Sequence, residues 1–453
     1  MHGSIDPRVL LRNELAQRAE SGYDTAEVLA ALARHGGLEA VDVRDAEQLL
    51  DELELVERLP GWPYVEPDDL EAIRSESDWP ETASPIDLDA DYAAAVYRAW
   101  TGRVAGNMLG KPVEGWSRAA IGRLLRQRDA WPLADYFPPP VEGGDQDTDY
   151  VACWRETTRG RINGSARDDD IDYTILNLHV LRSYGPRFGT EHVAATALEL
   201  LPYLQTYTAE RVAMRNLIRG DPPSRAADWR NPYREFIGAA IRADVFGYVS
   251  PGDPGRAAEL AYRDAVFSHR GNGIYSAMWC AALIAAAFAA TEPGRAVDRA
   301  LGVVPRRSRL YRAVSDVRTW HRDGLSWADA RDRIEANWGD YGWVHAVNNA
   351  AVVAAGVLYA GGDFSRTIGL TVAAGLDTDS TGGTAGSVGG VLAAKIDAHW
   401  ADPLHDVVRS ALFGYDHSTI SSLAAQTVEV ATAIRAGKAA PAAPRDPIPR
   451  ELW

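Results

Sequence analysis

The sequence predicts an all-α fold, and three observations carry that expectation. Alanine, the strongest helix former, is very abundant in a 453-residue chain that is 46% hydrophobic. Apolar residues recur at three- and four-residue spacing in one segment after another. Runs alternating at period two, which mark half-buried strands, are scarce.

Residues 6–75 read as short amphipathic helices; "PRVLLRNELAQRAESG" and "DAEQLLDELELVERL" are bounded by Pro, Asp and Gly. "SESDWPETASPIDLDAD", Ser75 to Asp91, breaks the period with two prolines and many acids and reads as a linker. From about Tyr92 to about Ala436 the chain is mostly helical. Its segments include "DYAAAVYRAWTGRVAGNML", "DYTILNLHVLRSY", "EHVAATALELLPYL", "NGIYSAMWCAALIAAAF", "WADARDRIEANW" and "AVNNAAVVAAGVLYA". The closing "GKAAPAAPRDPIPRELW" is a Pro/Ala-rich arm. Three parts follow: a helical extension with linker over 1–85, a main helical domain over 86–436, and a tail over 437–453. No fixed-period repeat is visible, which disfavours a solenoid.

Composition narrows the function classes. A net charge of −16 argues against broad nucleic-acid binding, which needs a positive face. The two cysteines, Cys153 and Cys280, lack metal-site spacing, so zinc and a disulfide framework are disfavoured. The start carries no secretory leader pattern. The most apolar run, "SAMWCAALIAAAFAA", falls short of the ~20 residues that span a bilayer. A cytoplasmic protein without a membrane partner is expected; oligomeric state is not legible.

Three acidic clusters stand out. "GGDQDTDY" holds Asp145, Asp147 and Asp149; "ARDDDIDYTILNLHVL" holds Asp168, Asp169, Asp170 and Asp172; "LDTDSTGGTAGSVGG" holds Asp377, Asp379 and Ser380. Carboxylates crowded against an apolar segment drive one another's pKa up unless a cation sits among them. Oxygen ligands of this kind suit Mg²⁺, Mn²⁺ or Ca²⁺ rather than zinc. Helix capping is the alternative for the second and third clusters, although one Asp suffices for a cap. The first cluster spaces its acids like a calcium loop with Glu156 at the twelfth position, but Tyr150 stands where such a loop needs glycine. The preceding "FPPPVEGG" cannot be an entering helix, so a solvated loop is the plainer reading. Gly382, Gly386 and Gly390 share one helix face, where a neighbouring backbone can come close.

Four pieces, in order, resemble the ADP-ribosylglycohydrolase family, which includes the dinitrogenase-reductase-activating glycohydrolases. "GNMLGKPVEGW" is similar to the family's Gly-Asp-x-x-Gly-x-Pro-x-Glu, with Gly106, Gly110, Pro112 and Glu114 matching and Asn107 where an Asp is common. "DDDIDYT" is similar to Thr-Asp-Asp-Thr: Asp169 and Asp170 fall on the aspartates, Asp168 and Ile171 on the threonines. "SHRGNGIYSAMW" carries the Gly-Asn-Gly loop, and "LDTDSTGGTAGSVGG" the Asp-x-Asp-Thr/Ser motif with its glycine helix. The resemblance covers roughly residues 92–430.

The resemblance implies an orthogonal α-helical bundle holding two divalent ions, Mg²⁺ or Mn²⁺. Their ligands would be Asp168, Asp169, Asp170, Asp377, Asp379 and Ser380. The implied reaction is hydrolysis of an N- or O-glycosidic bond at the anomeric carbon of ADP-ribose, through an oxocarbenium-like transition state. Glu114, Asp169 and Asp170 would be catalytic: Asp169 or Asp170 acts on water, and Glu114 is a mobile carboxylate acting on water or leaving group. Gly271, Asn272 and Gly273 suit the pyrophosphate or distal ribose, with Ser268, His269 and His345 adding hydrogen bonds. Tyr341 and Trp343 are candidates to stack on the base. The expected partner is an ADP-ribosylated substrate or an ADP-ribose-like small molecule; the acceptor is not legible. Two readings stay open beside this one. They are a glycohydrolase for a free NAD-derived or nucleoside-like metabolite, and a catalytically silent ADP-ribose-binding protein.

Overall fold

The computed structural model describes residues 5–80, 82–84, 86–140, 150 and 153–438. Among these residues are 22 α-helices and one short antiparallel ribbon pairing Val407–Val408 with Ser418–Thr419, so the all-α expectation holds. Most of the helices read from the sequence are present: Ala90–Gly110, Asp169–Tyr184, Asn272–Ala287, Trp327–Trp338 and Ala346–Ala360. Thr190–Leu200 stops short of its apolar pattern because Leu201, the residue before Pro202, is extended. The structure adds helices the sequence reading passed over, including Arg118–Gln127, Pro254–Ala265, Arg309–Arg322 and Phe364–Ala373. Each of these four has a Ser or Asp side chain at its N-cap.

The N-terminal helices Pro7–Glu20, Ala26–Arg34 and Val43–Glu54 bury a small cluster that includes Leu10, Leu11, Leu32, Leu49, Leu50 and Leu53. Ala209, Val212 and Tyr233 of the main body complete that cluster, so the extension is docked rather than self-contained. The linker is held as well. The Arg306 N–H donates to the Glu76 carbonyl at 2.8 Å, and the Ser84 N–H donates to the Gly252 carbonyl at 2.8 Å.

Two helices at the centre, Ala90–Gly110 and Thr378–Leu392, pack backbone against backbone. A Cβ placed on Gly106 would lie 1.9 Å from the Gly382 carbonyl oxygen, and one on Gly102 would lie 2.1 Å from that of Gly386. At the end of the contact, Gly110 meets Thr378 in the same way, at 2.0 Å. The glycine face anticipated at Gly382, Gly386 and Gly390 therefore faces a second one at Gly102, Gly106 and Gly110. The pair is antiparallel, so the end of the first helix lies beside the start of the second. Among the described residues no helix is long and apolar enough to cross a membrane.

Candidate metal centre

Three segments converge at that end of the helix pair. The Ala90–Gly110 helix runs into a 3-10 turn, Lys111–Val113, which delivers Glu114. Asp168 is the N-cap of the Asp169–Tyr184 helix, and its Oδ1 accepts the Asp170 N–H at 3.0 Å. Asp377 stands at the N-cap of Thr378–Leu392, and its N–H donates to Asn349 Oδ1 at 3.2 Å. Leu376, just before it, adopts a left-handed φ of 71°, a strained conformation for a side chain with a Cβ. Two backbone bonds hold that turn: Gly115 N–H to the Leu376 carbonyl at 3.0 Å, and Leu376 N–H to the Trp116 carbonyl at 3.2 Å. The strained turn is thus clamped to the loop that carries Glu114.

The carboxylates form two overlapping triads. Oxygens of Glu114, Asp377 and Asp379 lie within 4.8 Å of one another, and so do oxygens of Asp168, Asp170 and Asp379. Asp379 belongs to both. Asp379 Oδ1 and Asp170 Oδ1 are buried and have no hydrogen-bond partner. Asp379 and burial push the Glu114 carboxyl up to about 9. Burial and Asp170 push Asp169 up to about 8, and burial with Asp379 pushes Asp170 up to about 7. Asp377 is raised well above the carboxylate range by burial, Asp379 and Glu114. Buried, mutually repelling and partly unpartnered oxygens are what a hard divalent cation satisfies, so this donor set fits one.

Further residues surround the triads, and two of them, Lys111 and Arg103, were missed by the sequence reading. The Lys111 ammonium meets the Asp168 carboxylate. Asn107 Nδ2 donates to Asp170 Oδ2 at 3.3 Å, and the Ser380 side chain also bonds Asp170. Arg103, fully buried, donates to the Asp170 and Ile241 carbonyls and to Asp244 Oδ2, each at 2.7 Å. Its signal was available: an arginine in a helix buried on nearly every side needs a buried partner. Asp172 is committed elsewhere, accepting from Arg167 Nε at 2.9 Å, Ser410 Oγ at 2.6 Å and the Ala411 N–H at 2.9 Å. Ile171 packs in the core. Asp145, Asp147 and Asp149 lie outside the described residues, and Glu156 is exposed on a short helical turn.

The residues expected to touch substrate gather in a second buried network. Asn272 donates its N–H and Nδ2 to Glu235 Oε1 at 2.9 and 2.8 Å, and Nδ2 also reaches Glu66 Oε1 at 2.8 Å. Arg309 lies across Glu66 and Glu235 at 2.8 Å each. The Gly271 N–H, expected to face a phosphate, donates to Asp68 Oδ1 at 2.6 Å. Gly273 lies against the Arg234 carbonyl, where a Cβ would stand 2.3 Å away. Ser268 Oγ and His269 Nδ1 bond each other at 2.8 Å. His345 caps its helix by accepting the Val347 N–H at 3.2 Å, and its Nε2 stands 3.9 Å from Glu235. All six residues are buried. Of these six, Gly271 and Asn272 have carboxylates of the N-terminal part, Asp68 and Glu66, as hydrogen-bond acceptors. Trp343 lies over Gly115, beside Glu114. Tyr341 instead lies tilted against His345, ring centroids 4.4 Å apart, and lines a cavity of ≈ 600 Å³ with Glu20, Trp62, Tyr64 and Trp338.

Comparison with known proteins gives one family and one structural likeness. The sequence model of the ADP-ribosylglycohydrolase family matches residues 88–436. A solved structure described as an ADP-ribosylglycohydrolase-related protein complex aligns at 18% identity with a TM-score of 0.46, covering 76% of this chain and 99% of that one. A comparison with curated proteins gives no match.

Proposed function

The chain belongs to the ADP-ribosylglycohydrolase family, and on that premise we propose that it hydrolyses an N- or O-glycosidic bond at the anomeric carbon of an ADP-ribosyl group, with a divalent metal. The observation that carries this reading is the pair of carboxylate triads hinged on Asp379 at the mouth of the glycine-packed helix pair.

Glu114, Asp377 and Asp379 would hold a divalent ion, with Asp168, Asp170 and Ser380 lining the opposite side of the centre. Such an ion, when bound, supplies Lewis acidity at the reacting end of the sugar. Asp169 stands outside both triads and is half-buried, with its carboxyl near 8. A carboxyl tuned there exchanges a proton close to neutral pH, which suits Asp169 to orient and deprotonate the attacking water. The surrounding carboxylates stabilise positive charge developing at the anomeric carbon. Glu114, at about 9 without metal, gives up its proton when it holds the ion, and its remaining oxygen orients the attacking water or the leaving group. In this reading Gly271, Asn272 and His345 face the N-terminal part through Asp68, Glu66 and Glu20, while Ser268, His269 and Gly273 are buried within the main body.

A turnover panel tests the proposal: arginine-, serine- and DNA-linked ADP-ribose and NAD analogues, each with Mg²⁺, Mn²⁺ or EDTA. At least one ADP-ribosylated substrate is expected to release ADP-ribose only with metal. Turnover confined to the NAD analogues favours the free-metabolite reading, and binding without any turnover rejects the enzyme reading.

A further inference from the structure

The two ends of the carboxylate centre are served unequally. Among the described residues, Glu114, Asp377 and Asp379 make no close ion pair, although the Lys111 charge is felt at Asp379 and Glu114, and Asp379 Oδ1 is orphaned. The other end is served by the protein itself. The Lys111 ammonium lies on Asp168, the Asn107 amide and the Ser380 hydroxyl bond Asp170, and the Arg103 guanidinium stands 3.9 Å from Asp170 Oδ1. Lys111 does not lean in from the surface. Its side chain is only 14% exposed, and the following Pro112 and Val113 are buried. An ammonium taken this far from water needs carboxylates around it.

We infer that the Lys111 ammonium is a resident cation at the Asp168/Asp170/Asp379 end, so that the centre takes one divalent ion, at Glu114/Asp377/Asp379, and not two. The charges agree. Asn107 removes one negative charge relative to the Asp common at that position, and Lys111 adds one positive charge. Together they amount to the charge of one divalent ion. Lys111 donates hydrogen bonds but offers no vacant coordination position, so this end of the centre binds substrate oxygens as a point charge. The inference rests on the metal reading above and refines its stoichiometry.

The test counts ions, independently of turnover. Wild-type protein and Lys111→Met are dialysed to equilibrium against Mn²⁺, and bound manganese per chain is measured alongside the electron paramagnetic resonance spectrum. The wild type is expected to hold one Mn²⁺ with the spectrum of an isolated ion. Lys111→Met is expected to hold two, with the spectrum of a coupled pair. Two ions in the wild type overturn the inference while leaving metal-dependent hydrolysis standing, whereas no ion in the wild type overturns both. A count that stays at one in a Lys111→Met variant of native helical content also overturns it. Should that variant fail to fold, the wild-type count and spectrum still decide.

Discussion

Two buried polar clusters in this molecule are built from the same residue types and settle their charge in opposite ways. Around Arg309, every oxygen of Glu235 has donors: Asn272 and Arg309 on Oε1, and Gln17, Ser21 and Arg309 on Oε2. Burial pushes Glu235 up, yet Arg309 overrides it and holds the carboxyl well below the usual range. Around Asp379 the cations Lys111, Arg103 and Arg167 offset the same burial only in part, and Glu114, Asp169 and Asp170 are all pushed up. Burial of acids therefore does not by itself mark a ligand site. The mark is several carboxylates that repel one another at close range, and the second cluster has it most strongly.

The sharpest way to break this comparison is Arg309→Met. Stranding Glu66 and Glu235 without their partner is expected to cost about 3–5 kcal/mol in denaturant unfolding, while the manganese count stays as in the wild type. A cost below about 1 kcal/mol would mean the network is not the internally balanced structure described here. Next comes Asp379→Asn, which touches both triads. Activity is expected to fall more than about 100-fold with loss of bound metal, yet the metal-free protein should melt no lower than the wild type, because a repelling charge has gone. A large drop in its melting temperature would place the carboxylate centre in the same structural class as the Arg309 network.

The smallest effect is in pH. Glu114, Asp169 and Asp170, at about 9, 8 and 7 when folded and metal-free, keep protons that the unfolded chain releases above about 4. Their contribution to metal-free stability is therefore fully present below that range and is lost as pH rises toward 9. Mn²⁺ replaces those protons, so the rise in melting temperature on adding it should grow from pH 5 to pH 9. A rise that is flat or shrinks with pH would contradict the raised carboxyls.

Much of this was legible in the sequence where information is local. Helical period, caps and prolines located the long helices of the core, and the four-residue spacing of Gly382, Gly386 and Gly390 announced a backbone contact. What could not be read was which distant charges meet. Arg309 and Glu66 are 243 residues apart, and no local pattern links them. Nothing near the Gly-Asn-Gly loop in sequence foretold that the Gly271 N–H would meet Asp68. Lys111 occupies a variable position of a motif and reads as an ordinary surface lysine until the fold turns it onto Asp168.

The glycine contact between the two central helices has a mechanical meaning for the centre. Glu114 lies just beyond one of these helices, and Asp379 sits in the first turn of the other. Their separation is governed by carbonyls resting on bare Cα atoms. An interface of side chains can trade a methyl here for a rotamer there and drift by fractions of an ångström. This one has no such slack, so the gap works as a fixed gauge. The spacing of the two carboxylates is thus written in the main chain rather than in rotamers.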